Sequence, residues 1–328
     1  MNPICFDLEG PLSPQDNAYD LMKLIPNGDQ IFEVISRYDD LLTMEDREGY
    51  EPGDTLSLIV PFLLLHDISE ADIAASAASA TLNDGAFEII ASLRSNGWEV
   101  FCITTTYEQY ACHITKKLGI ERNNVACTKF GLDGLKNMLC KDDTTLLEQA
   151  EMEILDVKDD DSAIKQRLDY FFWKLLPDTR FGQAIRQVKP VGGRRKVAAL
   201  VDFSKRTKIA LSLWVAVGDS ITDFRMLKEV DTSGGLAIAF NANQYALPYA
   251  TMSLASINIG DLMPVLKAWQ EGGRNKAEEA VKAAEKTTFK DSNRNNFHWL
   301  SGGGDIYHVI SLHRRLRRLV REEAGKLG

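Results

Sequence analysis

Short apolar segments alternate with helical patterns along much of this chain, and this alternation constrains the fold most strongly. Segments with the length and composition of buried strands lie at residues 4–7, 98–103, 213–217 and 236–240. Segments with helical periodicity, such as 85–95 and 107–118, separate them. Strands joined by helices form parallel sheets that are covered on both faces. The sequence therefore predicts an α/β protein with a Rossmann-like parallel sheet core.

Two helical segments interrupt this alternation. Residues 16–80 follow the first strand and predict a helical cap, and the acidic segment 133–190 predicts a second helical insertion. The catalytic core is then assigned to residues 1–15, 81–132 and 191–270. Residues 271–328 differ in composition and predict a basic helical C-terminal extension.

Asp7 and Glu9 follow the first predicted strand and stand two residues apart. In an extended segment this spacing places both side chains on one face, and Gly10-Pro11 predicts a turn that carries both acids over the sheet edge. A pair of solvated loop residues is the alternative interpretation of this motif. Ligands of open α/β sheets bind at the carboxyl ends of the strands, which favours a functional role for Asp7 and Glu9.

The segment Gly218-Asp219-Ser220-Ile221-Thr222-Asp223 follows the predicted strand 213–217. Asp219 and Asp223 are four residues apart and become neighbours when the chain enters a helix. Carboxylates at such a corner suit Mg²⁺, which takes hard oxygen ligands and keeps several waters. Helix capping by Ser220 or Thr222 is an alternative that is compatible with metal binding.

A hydroxyl and an ammonium group complete the candidate site. Thr104 ends the segment 98–103, where a hydroxyl and backbone N–H groups can hold a phosphoryl oxygen. Thr105 and Thr106 compete for this role, and a simple helix cap is the alternative. Lys196 follows Gly192-Gly193 and begins a predicted helix, where a fixed cation would offset the repulsion among carboxylates and the charge of a phosphoryl group.

Charge and cysteine content exclude several functional classes. The net charge of −9 argues against general binding of nucleic acids and gives no indication of an anionic membrane surface as a partner. The five cysteines form no CxxC pair, which favours a reducing, cytoplasmic location. We find neither a secretory signal nor an apolar stretch that could span a bilayer, so we expect a soluble protein. The run of arginines from Arg314 to Arg321 is interpreted as a solvated or docking helix face, and Tyr170–Trp173 as core.

The four motifs, in this order, resemble those of the haloacid dehalogenase-like superfamily. Asp7-Leu8-Glu9-Gly10 resembles its first motif, Thr104 the second, Lys196 the third and the segment 218–223 the fourth. The N-terminal segment, with Gln15-Asp16-Asn17-Ala18 and Tyr38-Asp39-Asp40, more narrowly resembles an archaeal group named energy-converting hydrogenase A subunit R. The two helical segments occupy the positions of the two types of cap in the superfamily.

The resemblance implies a Mg²⁺-dependent phosphatase that acts on a small phosphorylated metabolite. Asp7 would form an aspartyl-phosphate, and Glu9 would act as general acid and base. Mg²⁺ would be held by Asp7, the backbone carbonyl of Glu9 and Asp219, with Asp223 beside them. Thr104 and Lys196 would bind the phosphoryl oxygens.

Glu9 departs from the pattern of the superfamily, whose phosphatases usually have Asp at this position. Glu is longer by one methylene, and proton transfer is sensitive to misplacement of about 1 Å. Three consequences are open. The backbone shifts to compensate for the longer side chain, or turnover is slow, or the site excludes water and transfers the phosphoryl group to another acceptor. The alternative function is an accessory or regulatory subunit of a larger, hydrogenase-like complex, which would bind a protein partner through the basic C-terminal helix.

Overall fold

This computed structural model describes residues 2–137, 140–186, 188–287, 292–303 and 306–326. Within these ranges, seven strands form one sheet: β1 (Asn2–Phe6), β2 (Trp98–Tyr107), β3 (Val125–Thr128), β4 (Val215–Gly218), β5 (Leu236–Phe240), β6 (Met252–Ala255) and β7 (Asn296–Trp299). Their order is β3-β2-β1-β4-β5-β6-β7, and every pairing is parallel except that of β6 with β7.

The same ranges contain fifteen α-helices: α1 (Asn17–Met22), α2 (Gly28–Met44), α3 (Thr55–Leu58), α4 (Val60–Leu65), α5 (Glu70–Ser79), α6 (Ala86–Ser95), α7 (Glu108–Lys117), α8 (Leu132–Lys136), α9 (Lys141–Asp156), α10 (Asp161–Tyr170), α11 (Arg180–Ile185), α12 (Arg194–Thr207), α13 (Phe224–Thr232), α14 (Met263–Thr287) and α15 (Tyr307–Arg321). The sheet separates two apolar clusters, one on each face. The predicted α/β fold with a parallel core is confirmed.

The register of the central strands brings the predicted motifs to one edge of the sheet. Phe6 of β1 lies opposite Cys102 of β2 and Val217 of β4. The chain therefore leaves β1 and β4 at the same level, and Asp7 and Asp219 follow these two neighbouring strands. A parallel sheet changes its direction of winding here, between β1 and β4, and such a crevice is the usual position of a ligand.

The strand β2 is longer than predicted. The sequence indicated an end at Ile103, whereas the strand continues to Tyr107 with an irregular register against β3. Thr104, Thr105 and Thr106 are β-branched residues, which pack well in extended segments. They therefore continue the strand beyond its apolar part.

The two predicted insertions pack together into one helical layer. Helices α1–α5 lie between β1 and β2, and α8–α11 lie between β3 and α12. Phe62 and Phe171 pack with their ring centroids 6.2 Å apart, and Tyr38 stacks on Phe172 at 6.1 Å. Of the predicted core segment 170–173, Phe171 and Phe172 are buried, whereas Tyr170 is 55% exposed.

The C-terminal segment is not a separate extension. It is helical in α14 and α15, but β7 pairs with β6 and forms the edge of the core sheet. The chain turns within α14 at Gly272 and Gly273, whose backbone is not helical. The sequence did not predict β6 and β7, because both are four residues long and β7 is largely polar and aromatic. The predicted boundary at residue 270 therefore lies within the core.

Across the described ranges, every helix is too short or too polar to traverse a lipid bilayer.

Candidate active site

Asp7 lies at the centre of the site because it directly follows the central strand β1. Its backbone N–H donates to the carbonyl of Val217 at 2.8 Å, which extends the β1–β4 pairing by one residue. Its side chain is only 5% exposed, and its Oδ1 accepts from the N–H of Leu8. Burial and the charge of Asp223 raise the pKa of Asp7, against the opposing effect of Lys196.

Asp223 holds the loop that follows β4. Its Oδ2 accepts from the N–H groups of Asp219 and Ser220 at 3.0 and 3.1 Å. A Cβ atom at Gly218 would lie 2.6 Å from the carboxylate carbon of Asp223, so the compact loop requires glycine there. Asp219 and Asp223 are therefore neighbours, as their spacing predicted, because the carboxylate of Asp223 closes the turn that begins at Asp219.

Asp7, Asp219 and Asp223 form a group that fits a divalent cation. One carboxylate oxygen from each residue lies within 4.8 Å of the others, and all three residues are buried. Oδ1 of Asp219 is buried, and no donor among the described residues reaches it. An unpaired buried carboxylate oxygen is costly, and hard oxygen ligands of this kind suit Mg²⁺. The residues present therefore fit the predicted ion.

Lys196 is fully buried on α12 and joins two of these carboxylates. Its Nζ lies 2.8 Å from Oδ2 of Asp7 and 2.7 Å from Oδ1 of Asp223. Burial alone would lower the pKa of Lys196, but the charges of Asp223 and Asp7 outweigh burial and raise it. The ammonium group is thus charged at neutral pH and balances the acidic group from the side of α12.

Glu9 lies beyond Asp7 and reaches towards the cap. Its Oε1 accepts from the N–H of Asn17, the first residue of α1, at 2.7 Å. Burial and the charge of Asp16 raise the pKa of Glu9 well above its ordinary value. Its side chain is not among the carboxylates that could hold the metal, so only its backbone carbonyl remains in the predicted ligand set. A partly buried carboxyl group with a raised pKa suits a general acid.

The structure separates the three threonines that the sequence could not distinguish. Thr104 is fully buried, and its Oγ1 accepts from the N–H of Thr106. Thr106 donates to the side chain of Asn17. Thr105 lines the cavity beside Asp7, and its hydroxyl donates to the carbonyl of Val191. Of the three hydroxyl-bearing residues, Thr105 is thus the one that reaches the cavity.

A cavity of about 100 Å³ lies above these residues, under the cap. The cap contributes Ser36, Asp39 and Asp40 of α2 to its wall. Oδ1 of Asp39 accepts from the hydroxyl of Tyr50 at 2.5 Å. Burial raises the pKa of Asp39 to about 7 and that of Asp40 to about 6. The cap therefore presents carboxyl groups that are easily protonated.

Ion pairs connect the cap to the start of α12. Arg194 pairs with Glu51 at 2.7 Å, and Arg195 pairs with Asp54. Gly192 contacts the cap backbone directly, since a Cβ atom there would lie 1.9 Å from the carbonyl oxygen of Pro52. These contacts lie one to four residues before Lys196, so the cap and the buried ammonium group are positioned together.

Arg317 and Arg321 are site residues that sequence analysis missed. They project from α15 into the cavity, are 4% and 7% exposed, and both donate to Oδ2 of Asp219. The run of arginines was interpreted as a solvated or docking face, and this is wrong for these two. The spacing along the helix could have indicated that these two arginines are buried. One face of α15 recurs every four residues and is buried, and it consists of Val309, His313, Arg317 and Arg321.

The other arginines of the run, Arg314, Arg315 and Arg318, are exposed. Arg314 donates to Gln244, and Arg315 donates to Asn293 and Ser292. The predicted protein partner of this helix is not tested by these contacts and stays a prediction.

Comparison with known proteins gives no match by sequence. No protein family profile and no curated protein matches the chain. Among solved structures, a gene product from Archaeoglobus fulgidus is similar over 100% of this chain and 99% of its own, with a TM-score of 0.84 and 27% identity.

Two structures of phosphoserine phosphatase are similar at a greater distance. One, an analogue of a phospho-aspartyl intermediate, has a TM-score of 0.52 and 18% identity. The other, in the apo form, has a TM-score of 0.51 and 17% identity. Both similarities cover 80% of this chain and 97% of the matched chain. The chain has the haloacid dehalogenase-like fold. The narrower resemblance to the hydrogenase subunit group finds no support in these similarities and stays a prediction.

Proposed function

We propose that this protein is a Mg²⁺-dependent phosphatase that hydrolyses a small phosphorylated metabolite through an aspartyl-phosphate on Asp7. One observation carries the proposal: Asp7 follows the central strand, and its buried carboxylate lies beside those of Asp219 and Asp223 and in contact with the ammonium group of Lys196. The matched phosphoserine phosphatase structure is that of an analogue of a phospho-aspartyl intermediate, and the same chemistry suits a buried aspartate in this position.

The reaction has two steps, in which the phosphoryl group passes first to Asp7 and then to water. A carboxylate oxygen of Asp7 attacks phosphorus, the bond from phosphorus to the leaving oxygen breaks, and Glu9 donates its proton to that oxygen. Glu9 then removes a proton from water, whose oxygen attacks phosphorus, and the bond between phosphorus and Asp7 breaks. Inorganic phosphate leaves, and Asp7 and Glu9 return to their original states.

The remaining residues bind and balance charge. Lys196 keeps the Asp7 carboxylate oriented and offsets the negative charge that the phosphoryl group brings. Asp223 maintains the loop that positions Asp219. Thr105 offers a hydroxyl to the cavity, and Thr104 supports the backbone beside it. A bound Mg²⁺, held by Asp7 and Asp219, would supply positive charge opposite the phosphoryl oxygens.

The raised pKa of Glu9 supports its role as the proton donor in the first step. A general acid must be protonated when the substrate binds, and burial together with Asp16 favours the protonated form of Glu9. The longer side chain of glutamate reaches the first N–H of α1 at 2.7 Å. This hydrogen bond fixes the carboxyl group and compensates for the extra methylene.

A phosphate-release assay over a broad panel of phosphorylated metabolites tests the proposal. The wild type is expected to release phosphate from at least one compound in the presence of Mg²⁺, and EDTA should abolish this release. Asp7→Asn should be inactive on every compound, whereas Asp29→Asn, an exposed residue of the cap, should match the wild type. Release of phosphate by Asp7→Asn would contradict the mechanism.

A further inference from the structure

Two guanidinium groups enter the candidate active site from the C-terminal helix α15. Arg321 Nε donates to the carbonyl of Pro14 at 3.1 Å, and its Nη2 to that of Gln15 at 3.5 Å. Arg317 Nη1 lies 3.4 Å from the carbonyl of Asp219 and 3.5 Å from that of Asn241. Backbone carbonyls therefore hold both groups at the cavity wall, in addition to their carboxylate partner.

Oδ2 of Asp219 is the negative partner that the two arginines share. Arg317 and Arg321 both donate to it, the latter at 3.1 Å, whereas Oδ1 of the same carboxylate receives no donor among the described residues. A buried charge requires a partner of opposite sign. The arginines thus neutralise a carboxylate that, in the proposed function, also binds a metal ion.

A cation bound to Asp219 changes the electrostatic balance of the two arginines. The cation takes over the negative charge of Asp219, so the two buried guanidinium groups lose part of their counter-charge, while Asp16 at the cavity wall still acts on both. An oxyanion in that cavity would restore the balance, because guanidinium groups bind phosphate oxygens through paired, charge-assisted hydrogen bonds. The cavity that they line also contains Asp7, the proposed site of phosphoryl transfer.

We propose that Arg317 and Arg321 form an oxyanion-binding subsite for the phosphate of the substrate, and that this subsite becomes available when a divalent cation engages Asp219. The inference rests on the proposed function and adds to it two residues that touch the substrate, from a helix outside the four motifs. Binding of Mg²⁺ and binding of phosphate then favour each other, and this coupling is reciprocal by thermodynamic linkage.

Calorimetric titration with inorganic phosphate and with Mg²⁺ tests the subsite without an activity assay. In the wild type, saturating Mg²⁺ should tighten phosphate binding by about tenfold or more, since each charge-assisted hydrogen bond contributes that order of affinity. Arg317→Gln and Arg321→Gln should each weaken phosphate binding in Mg²⁺ by about tenfold. Their affinity for Mg²⁺ alone should stay or rise, because a competing cation has been removed from Asp219.

Arg318→Gln is the matched control, because Arg318 is exposed on the same helix. Since Arg317 is buried and its removal can unfold the protein, Arg317→Lys and Arg321→Lys provide a second pair of variants. These keep the charge but lose the planar fork, so they should fold and still bind phosphate more weakly than the control.

The outcomes separate this inference from the function on which it rests. If the wild type binds neither Mg²⁺ nor phosphate, the proposed function fails, and the subsite with it. If the wild type shows Mg²⁺-dependent phosphate binding and the arginine variants match Arg318→Gln, the subsite is overturned while the phosphatase proposal stands. Weaker phosphate binding in folded arginine variants, with undiminished Mg²⁺ binding, supports the subsite.

Discussion

Gly10 packs directly against the carboxylate of Asp219. A Cβ atom at position 10 would lie 2.3 Å from the carboxylate carbon, and the backbone of Gly10 has a φ of +99°. Two separate constraints therefore require glycine here, one from the backbone conformation and one from the close approach. The contact links the turn after β1 to the loop after β4, and so fixes the distance between the first and fourth motifs.

Gly10→Ala should remove Mg²⁺ binding while most of the fold persists. The added methyl group displaces the carboxylate of Asp219, and the positive φ costs about 1–2 kcal/mol. Calorimetry should show the loss of Mg²⁺ affinity, and denaturant unfolding should show a reduced free energy of unfolding.

Gly97→Ala separates the two effects. Gly97 has a φ of +79°, but a Cβ atom there meets nothing within 4 Å. This variant should lose stability to a similar degree and bind Mg²⁺ as the wild type does. Equal Mg²⁺ affinity in both variants would show that the contact with Asp219 does not shape the site.

Lys196→Met should destabilise the protein by about 3–5 kcal/mol, because it leaves two buried carboxylates without their shared cation. Adding Asp223→Asn should recover part of this loss, since one of the unpaired charges is then removed. Denaturant unfolding measures both effects. Lys205→Met, at an exposed position of the same helix, should change the free energy of unfolding by less than about 0.5 kcal/mol.

The first, second and fourth motifs could be predicted from sequence because each follows the apolar part of its own strand, whereas Lys196 was recognised by its position after Gly192-Gly193 at the start of a helix. Asp7 and Asp219 both follow apolar segments, and parallel strands bring such positions to one edge. Local rules therefore sufficed to predict that Asp7, Asp219, Asp223 and Lys196 would meet. The choice among Thr104, Thr105 and Thr106 could not be made, because alternating side chains of an irregular strand depend on its register with β3.

The part played by the C-terminal segment could not be predicted in the same way. Arg317 and Asp219 are 98 residues apart in sequence, and no local rule relates them. Arginines on a helix are normally solvated, so composition favoured an exposed face. Burial of Val309 and Leu316 on the same side of α15 is a tertiary property, set by packing on β6.

The carboxyl group of Asp39 should make the stability of the protein depend on pH. Its pKa is raised to about 7 in the folded state, from an ordinary value of 3.8, chiefly by burial. The folded state thus binds more protons than the unfolded state between these values, so the stability that protonation confers is complete below about pH 4 and is lost as the pH rises through 7.

Asp39→Asn should reduce the slope of the free energy of unfolding against pH between about pH 4 and 7. The reduction should be at most roughly 1.4 kcal/mol per pH unit. Denaturant unfolding at several pH values measures the difference between variant and wild type. Asp29→Asn, an exposed position of the same helix, should leave the slope unchanged. An unchanged slope in Asp39→Asn would mean that this carboxyl group titrates as it does in the unfolded chain.

Glu9→Gln should lower the turnover number by about 10²–10⁴, the usual contribution of general acid–base catalysis. The amide keeps the hydrogen bond to the N–H of Asn17 but cannot donate or accept the transferred proton. Because burial and Asp16 raise the pKa of Glu9, wild-type kcat/KM should fall on the alkaline side as the acid loses its proton. The variant should show no such fall. Its affinity for Mg²⁺ should equal that of the wild type, because the Glu9 side chain does not belong to the cluster of Asp7, Asp219 and Asp223. A variant with full turnover, or with the alkaline limb retained, would remove Glu9 from the mechanism and assign the proton transfer to another group.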